Sequence, residues 1–599
     1  MKYALPAIFA MVFGGGLSSS PAPARVEYSL HVDSTDLRAV SVEMHIRGAA
    51  ADFRVAMATH AEYDDQYWRY LADLTGASAR GPVSVVREDS SVWHVSGPAG
   101  DVTLRYRVHY PVVPPQQQAA WKAHLTNEGG LVGGPHSFLY VVGGEHAPVQ
   151  LTLQLPNGWT TATGLAAGSR AGQFIAPDAE TLIDSPMLVG HLRRWQFIID
   201  RVPHDIAYLG QAGSAPFDSA LFVSNVERLT RETVKMFGWM PYHRYQFLFE
   251  GGTQAGLEHL NSVSIGLRTA ELARDPNWPL ANLAHEFFHT WNEVHLRPAS
   301  WIGLRHVMPE PTGELWWAEG VTLYYADLML RRAGLHTMDS TRQGHLERLI
   351  GAYHANPSHG MVSLEQTSRA FNVPPGMNGD YTPSMYTQGE AVGAMLDMII
   401  RNESRGARSL DDVMRGLVRG FTPSRGYTGV DIERAVTAAC RCDARAFFNK
   451  YVRTANPVDF DHVLATLGWH ANVTWQAART DSAISMPDLR VSAFVRPSEI
   501  QPRLQVWFPA TAWGRAGLHT GDRVVTWNGV AVGDLQQVRT AISSVHLGDT
   551  VRVGVMRDGG RFEAVVPVVG YDRPVVHIEE LPGATPAQRA ARARWLAGH

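Results

Sequence analysis

The sequence predicts a multidomain protein with an all-β N-terminal region, a mainly helical central region and a small α+β region near the C-terminus. Three observations predict this arrangement. The chain has 599 residues, too many for one hydrophobic core. Hydrophobic residues alternate with period two in the first third and recur with a helical period in the middle. Beyond about residue 480, turn signals and short strands return. The expected segments are 1–24 as an export signal, 25–192, 193–470 and 480–570 as domains, and 571–599 as a flexible tail.

The first segment resembles a secretory signal. Lys2 supplies a positive start, Ala4 to Phe13 is a short apolar run, and Ala22 and Ala24 offer an A-x-A cleavage site. The run is too short to span a membrane, and no later segment has about 18 uninterrupted apolar residues. Export to the periplasm or beyond, with no integral membrane segment, is the expectation.

From Arg25 to Leu192 the pattern is β. Val102, Leu104, Tyr106, Val108 and Tyr110 alternate with polar residues, as on a half-buried strand. Val149, Leu151, Leu153 and Leu155 repeat the pattern and stop at the turn Pro156, Asn157, Gly158. Strands of this kind close into a β-sandwich.

Helices begin after about Phe217. Leu221, Val226, Leu229, Val234 and Phe237 keep an approximate helical period as far as Gly238, a C-cap residue. Tyr245 to Phe249 is a short strand. Pro279 to Leu296 is predicted helical, with Pro279 in the first turn and Leu280, Leu283, Ala284, Phe287, Phe288 and Trp291 forming a broad apolar face. Further helices are expected from Gly313 to Arg332, from about Gly389, and after the capping residues Ser409 and Thr428.

The C-terminal region pairs an Asn528-Gly529 hairpin turn with a helix over Leu535 to Ile542 and a strand over Val551 to Val555. After about Tyr571 the chain is rich in Ala, Arg and Pro and reads as loosely held. The two cysteines, Cys440 and Cys442, sit at a spacing awkward for a bridge and read as small buried residues, with a strained bridge as the lesser alternative. A net charge of −4 and the lack of a basic stripe give no sign of nucleic-acid binding.

The chemistry is concentrated at His285, Glu286 and His289, which form H-E-x-x-H. Residues four apart lie on one helical face, so two imidazoles there can share a tetrahedral metal. Glu286 then projects toward the open coordination position, where a general base is needed. With 26 His in the chain, chance yields such a pattern in about one sequence in twenty, so a third ligand is needed. Another His or a carboxylate fits. Glu319, in an aromatic stretch within the next predicted helix, is the candidate, because a buried carboxylate needs a partner. Glu310 and Glu314 lie nearer, but beside Pro309 and Pro311, before the helix begins.

Together these motifs resemble the glycyl aminopeptidase family of gluzincin metallopeptidases. The resemblance rests on H-E-x-x-H followed by Trp291, Asn292, Arg297 and Pro298. It continues through L-W-x-x-E-G-x-T-x-Y-Y over Leu315 to Tyr325, the G-L-E-H segment Gly256 to His259, and Ser384 to Gly389. The A-G-L-x-x-G-D block from Ala516, with Asn528 and Gly529, is similar to a PDZ domain. The resemblance implies a thermolysin-like catalytic domain between a β-sandwich and a PDZ-like domain, with one zinc ion on His285, His289 and Glu319. It further implies Tyr386 as the hydroxyl donor to the oxyanion, with Tyr381 as fallback. Glu258 would anchor the substrate ammonium, with Gly256 and His259 beside it. Peptides with small N-terminal residues such as Gly or Ala are the implied substrates. The PDZ-like domain has two open readings, capture of a peptide C-terminus and a structural or docking role, because Val506 to Ala510 lacks a glycine-rich carboxylate loop.

Gln388, Glu390 and His295 depart from the family pattern, and the residues before Gly256 are less glycine-rich than usual. These departures bear on pocket shape. Two other readings stay open: an endopeptidase or epoxide-type hydrolase on the same metal, and a peptide-binding protein with a structural metal. The last fits less well, because structural zinc sites are closed and usually Cys-rich.

Overall fold

The structure, a computed structural model, describes residues 23–59, 66–113, 118–303, 307, 309–335, 339–371, 373, 375–480, 482–496 and 499–598. Most of the expected export signal lies outside the described residues. The chain divides into two compact units. The first comprises 1–112, 123–161 and 165–187, and the second comprises 113–122, 162–164 and 188–599.

The first unit is a β-sandwich. Its larger sheet has eight strands, with Val149–Gln154, Arg25–Val32, Ala39–Ala49 and Gly100–His109 at the centre. Arg25–Val32 pairs in parallel with Val149–Gln154 and antiparallel with Ala39–Ala49. The alternation seen in the sequence becomes a buried face of Val102, Leu104, Tyr106 and Val108. A four-stranded sheet containing Leu139–Val141 and Asp52–Met57 covers that face. Two buried tyrosines join the layers: Tyr28 donates to Leu139 O (2.7 Å) and Tyr106 to Ser137 O (3.0 Å).

The second unit opens with strands rather than helices. Five strands lie in the order Arg193–Ile199, Val202–Leu209, Tyr245–Gly251, Ser262–Leu267, Gly256–Glu258. Tyr245–Gly251 is central, parallel to both neighbours and almost wholly buried. Gly256–Glu258 is an antiparallel edge strand. The mainly helical reading of 193–470 therefore needs this sheet added. Ser262–Leu267 is buried on both faces and carries no alternation for a sequence pattern to reveal.

Helices follow much as expected. Ser219–Phe237 is capped by Asp218, whose side chain accepts the Leu221 N–H, and ends at Gly238 with φ 77°. Ser409 and Thr428 each form a capping box before Leu410–Gly420 and Gly429–Cys440. At the end of the second of these helices, Arg441 turns left-handed at φ 58°, bringing the Cys440 and Cys442 Cα atoms to 5.2 Å, and the two are disulfide-bonded. The reading of two small buried cysteines is thereby corrected: the helix stops between them.

The PDZ region contains the strands Val491–Phe494, Arg503–Val506, Arg523–Trp527, Thr550–Arg557 and Gly560–Pro567, with the helix Leu535–Ser543 beside the first. Asn528 (φ 49°) and Gly529 (φ 79°) make the predicted two-residue turn. The described part of the expected tail, 571–598, is not loosely held. Asp572–Glu580 pairs antiparallel with Trp469–Ala477 along its full length. Pro586–Ala597 is a helix with a Thr585 capping box. Its Trp595 is buried under the Arg342 guanidinium, 3.9 Å from the ring centroid. An Ala, Arg and Pro-rich composition masked the alternating Val576 and Ile578 and the T-P-x-Q helix start. Among the described residues, no helix is long and apolar enough to cross a membrane.

Candidate metal centre

The helix Leu280–Phe288 carries His285 and Glu286, with His289 at its C-cap. Aromatic packing fixes it from three sides. Phe287 lies edge-on to Tyr245 of the sheet at 5.0 Å, Phe288 stacks on Tyr325 at 4.6 Å, and Trp291 stacks on Phe237 at 4.6 Å.

The predicted helix to Leu296 does not run through. It breaks after His289, with Asn292 at φ −101°, ψ 79° and Glu293 at φ 140°. The break turns the Asn292 carbonyl back to the His289 ring, whose Nδ1–H donates to it at 2.9 Å. That bond selects the tautomer with Nε2 free to ligate a metal. The Asn292 side chain donates to Trp317 O (3.0 Å) and Thr322 Oγ1 (3.0 Å). A residue noted only as part of a motif thus fixes one ligand and anchors the turn that brings the third. A polar side chain directly after the apolar face was its only sequence signal.

Glu319 sits in a widened helical turn, Trp316–Gly320, ahead of the helix Val321–Arg332. Its Oε2 lies 3.1 Å from His285 Nε2 and 3.3 Å from His289 Nε2, and the two Nε2 atoms are 3.0 Å apart. All three residues are buried. Burial raises the Glu319 pKa, but the charge of His289 and hydrogen bonds to both imidazoles outweigh it and keep the carboxyl ionised. Burial disfavours the charge on His289, but the neighbouring carboxylates of Glu319 and Glu293 outweigh it and raise its pKa above that of an ordinary imidazole. His285 is pushed toward neutrality by burial and by the charge on His289.

This arrangement fits a tetrahedral zinc-type ion. Ligands 2.0–2.1 Å from such an ion stand about 3.3 Å from one another, close to the three separations here. Two imidazoles and one carboxylate form a donor set that leaves a fourth position open. Glu310 and Glu314 are not in this cluster; the Glu314 carboxylate accepts the Gly429 N–H (3.0 Å) at another helix start.

A second buried group joins the first. Glu258, Glu286 and His289 place carboxylate or imidazole atoms within 4.8 Å of one another. Glu258 reaches the centre from the edge strand because Gly256 has no side chain. A Cβ on Gly256 would stand 2.7 Å from Glu286 Cγ and 2.8 Å from Asn282 Nδ2. Gly256 therefore acts through close backbone approach. His259 is buried, with its Nε2 3.3 Å from Ser264 Oγ in the same hairpin.

Tyr386 enters on the helix Met385–Glu403, its ring centroid 6.3 Å from that of His285. Two glycines permit this. A Cβ on Gly389 would meet Trp316 O at 2.4 Å, and one on Gly320 would meet Gly389 Cα at 2.5 Å. The backbones of the Glu319 turn and the Tyr386 helix are in direct contact. Tyr381 lies outside the helix and lines a neighbouring cavity with Tyr386. Of the departures from the family pattern, Gln388 donates to His359 O (2.6 Å), Glu390 pairs with His345 (2.7 Å), and His295 Nε2 lies 3.2 Å from Val418 O. All three have these polar partners, none of which is His285, His289 or Glu319.

Residues 27–191 match the Peptidase M61 N-terminal domain, 279–392 the M61 glycyl aminopeptidase and 509–568 the PDZ domain. No curated protein matches the chain in sequence. Among solved structures, the chain is similar to an aminopeptidase N family protein from Idiomarina loihiensis. That match has 19% identity and a TM-score of 0.72, and covers 95% of this chain and 100% of the other. An M1 zinc metallopeptidase from Deinococcus radiodurans is similar at 15% identity and a TM-score of 0.45, covering 73% and 95%. Both M61 segments are matched in order ahead of the PDZ segment, the arrangement that the sequence motifs suggested.

Proposed function

We propose that the protein is an exported zinc aminopeptidase that removes small N-terminal residues, glycine or alanine, from peptides. One observation carries the reading. Three buried ligand atoms lie 3.0–3.3 Å apart at the metal position, and Glu258 and Glu286 converge on the same point. His285, His289 and Glu319 would hold the ion. When bound, zinc supplies Lewis acidity toward water and toward the scissile carbonyl. Glu286 takes a proton from the attacking water and delivers it to the leaving amine. The Tyr386 hydroxyl donates to the oxygen that gains charge in the transition state. Glu258 pairs with the substrate ammonium, which favours an exopeptidase over an endopeptidase or an epoxide-type hydrolase. The description of the family supports glycine as the residue removed. The sequence of residues 1–24 supports export, and the PDZ domain supports capture of a peptide terminus by strand addition.

The test compares glycyl peptides with their N-acetylated forms. The free amine is expected to be strongly preferred. Glu258→Ala is expected to lower kcat/KM for the free amine by about tenfold or more, as for a lost charged hydrogen bond, and to leave the blocked peptide unaffected. Equal rates on both forms in the unaltered protein would overturn the aminopeptidase reading.

A further inference from the structure

The approach to Tyr386 is built jointly by the catalytic region and the PDZ region. Asp380 accepts from His519 Nδ1 (2.5 Å) and from the Thr520 N–H (2.6 Å). Thr382 donates its N–H to Trp507 O (2.8 Å) and its hydroxyl to Val506 O (3.1 Å). Ser358 also donates to Trp507 O (3.0 Å), and Asn356 donates to Thr382 O (2.8 Å). The segment so gripped ends at Ser384, which caps the Tyr386 helix by accepting the Thr387 N–H.

Beside this segment lies a cavity of about 460 Å³. Tyr386, Tyr381, Phe371 and Met377 are among the residues that line it, together with Trp507 and Gln505 of the PDZ region. Among the described residues, no charged side chain lines it. Phe371, Met377 and Trp507 are 46%, 50% and 39% exposed, so three large apolar groups meet water in one place. Such a cluster is characteristic of a binding surface.

We propose that this cavity receives the apolar side chain of the residue that follows the scissile bond. The proposal rests on the aminopeptidase reading. Tyr386 is shared between the cavity and the metal centre, so an occupant of the cavity is continuous with a peptide at the metal. No residue of the Glu258 strand lines the cavity, so the N-terminal residue and its successor occupy different walls. The uncharged lining selects an aromatic or aliphatic side chain over an acidic or basic one. The grip on Asp380 and Thr382 ties these walls to the PDZ region.

The experiment measures kcat/KM for Gly-Phe amide and Gly-Gly amide, with full-length protein and zinc supplied. Gly-Phe amide is expected to be favoured by about tenfold or more, the scale of discrimination that an apolar pocket provides. Trp507→Ala and Phe371→Ala are each expected to lower that preference several-fold while activity on Gly-Gly amide is retained. Equal use of the two amides by the unaltered protein, or a preference that neither variant changes, would overturn the proposal. The N-acetylated amides separate the two ideas. If they are cleaved as well as the free ones, the amine-anchor reading fails. The Phe-over-Gly preference is still read within each series.

Discussion

The ligand side and the tyrosine side of the centre are held by different forces. His285, His289 and Glu319 come from a helix and a turn wedged among Phe237, Phe287, Phe288, Trp291 and Tyr325, with Asn292 bonding both. Nothing there depends on a distant domain. Tyr386 comes from a helix whose position rests on glycine contacts and whose approach rests on polar links to the PDZ region. Packed aromatic cores resist displacement, whereas single polar links, only partly buried, are individually weaker. The metal position is thus the rigid half of the site, and the oxyanion and substrate walls are the adjustable half.

The largest expected effect falls on the rigid half. Glu286→Gln is expected to keep zinc and to lower kcat by about 10⁴-fold, the upper range for a lost general base. Metal content measured alongside kcat checks this. Loss of zinc in that variant would show that Glu286 supports the ligands rather than the proton transfer.

Next comes the seam between the halves. Gly389→Val puts a branched side chain where a single Cβ already meets Trp316 O at 2.4 Å. It is expected to lower stability by about 3 kcal/mol, read by denaturant unfolding, and to reduce kcat with it. An unchanged stability would mean that the two backbones are not in contact.

The smallest effects belong to the adjustable half and are separable by a cycle. Tyr386→Phe is expected to lower kcat by about 10²-fold, as for a lost oxyanion donor. Asp380→Ala removes the acceptor for His519 and Thr520 and is expected to lower kcat only a few-fold. In the Tyr386→Phe background, Asp380→Ala is expected to have little further effect, because it acts through the tyrosine. Full additivity would place Asp380 outside the positioning of Tyr386.

The sequence showed the ligand half more fully than the other. H-E-x-x-H and a carboxylate in an aromatic helix are local patterns, and their spacing encodes their geometry. The capped helix starts at Ser409 and Thr428 were legible for the same reason. The break at Asn292 and Glu293 was not, because the apolar face runs through it and only a tertiary hydrogen bond to His289 explains it. Glu258, Gly256 and Tyr386 were found by family resemblance. Their physical reasons, Cβ-free approach at Gly256 and at the Gly320–Gly389 contact, needed coordinates. The Asp380–His519 link joins residues 139 apart, a separation that no periodicity reports. The C-terminal strand and helix were hidden because their partners, Trp469–Ala477 and Arg342, lie far back in the chain.

The most direct test of the central claim is the zinc stoichiometry of the purified protein compared with Glu319→Ala. The geometry of His285, His289 and Glu319 predicts one zinc per chain in the unaltered protein. It also predicts loss of tight binding in the variant, with glycyl-peptide hydrolysis lost in parallel. A Glu319→Ala variant that retains one tightly bound zinc and full activity would contradict the assigned centre.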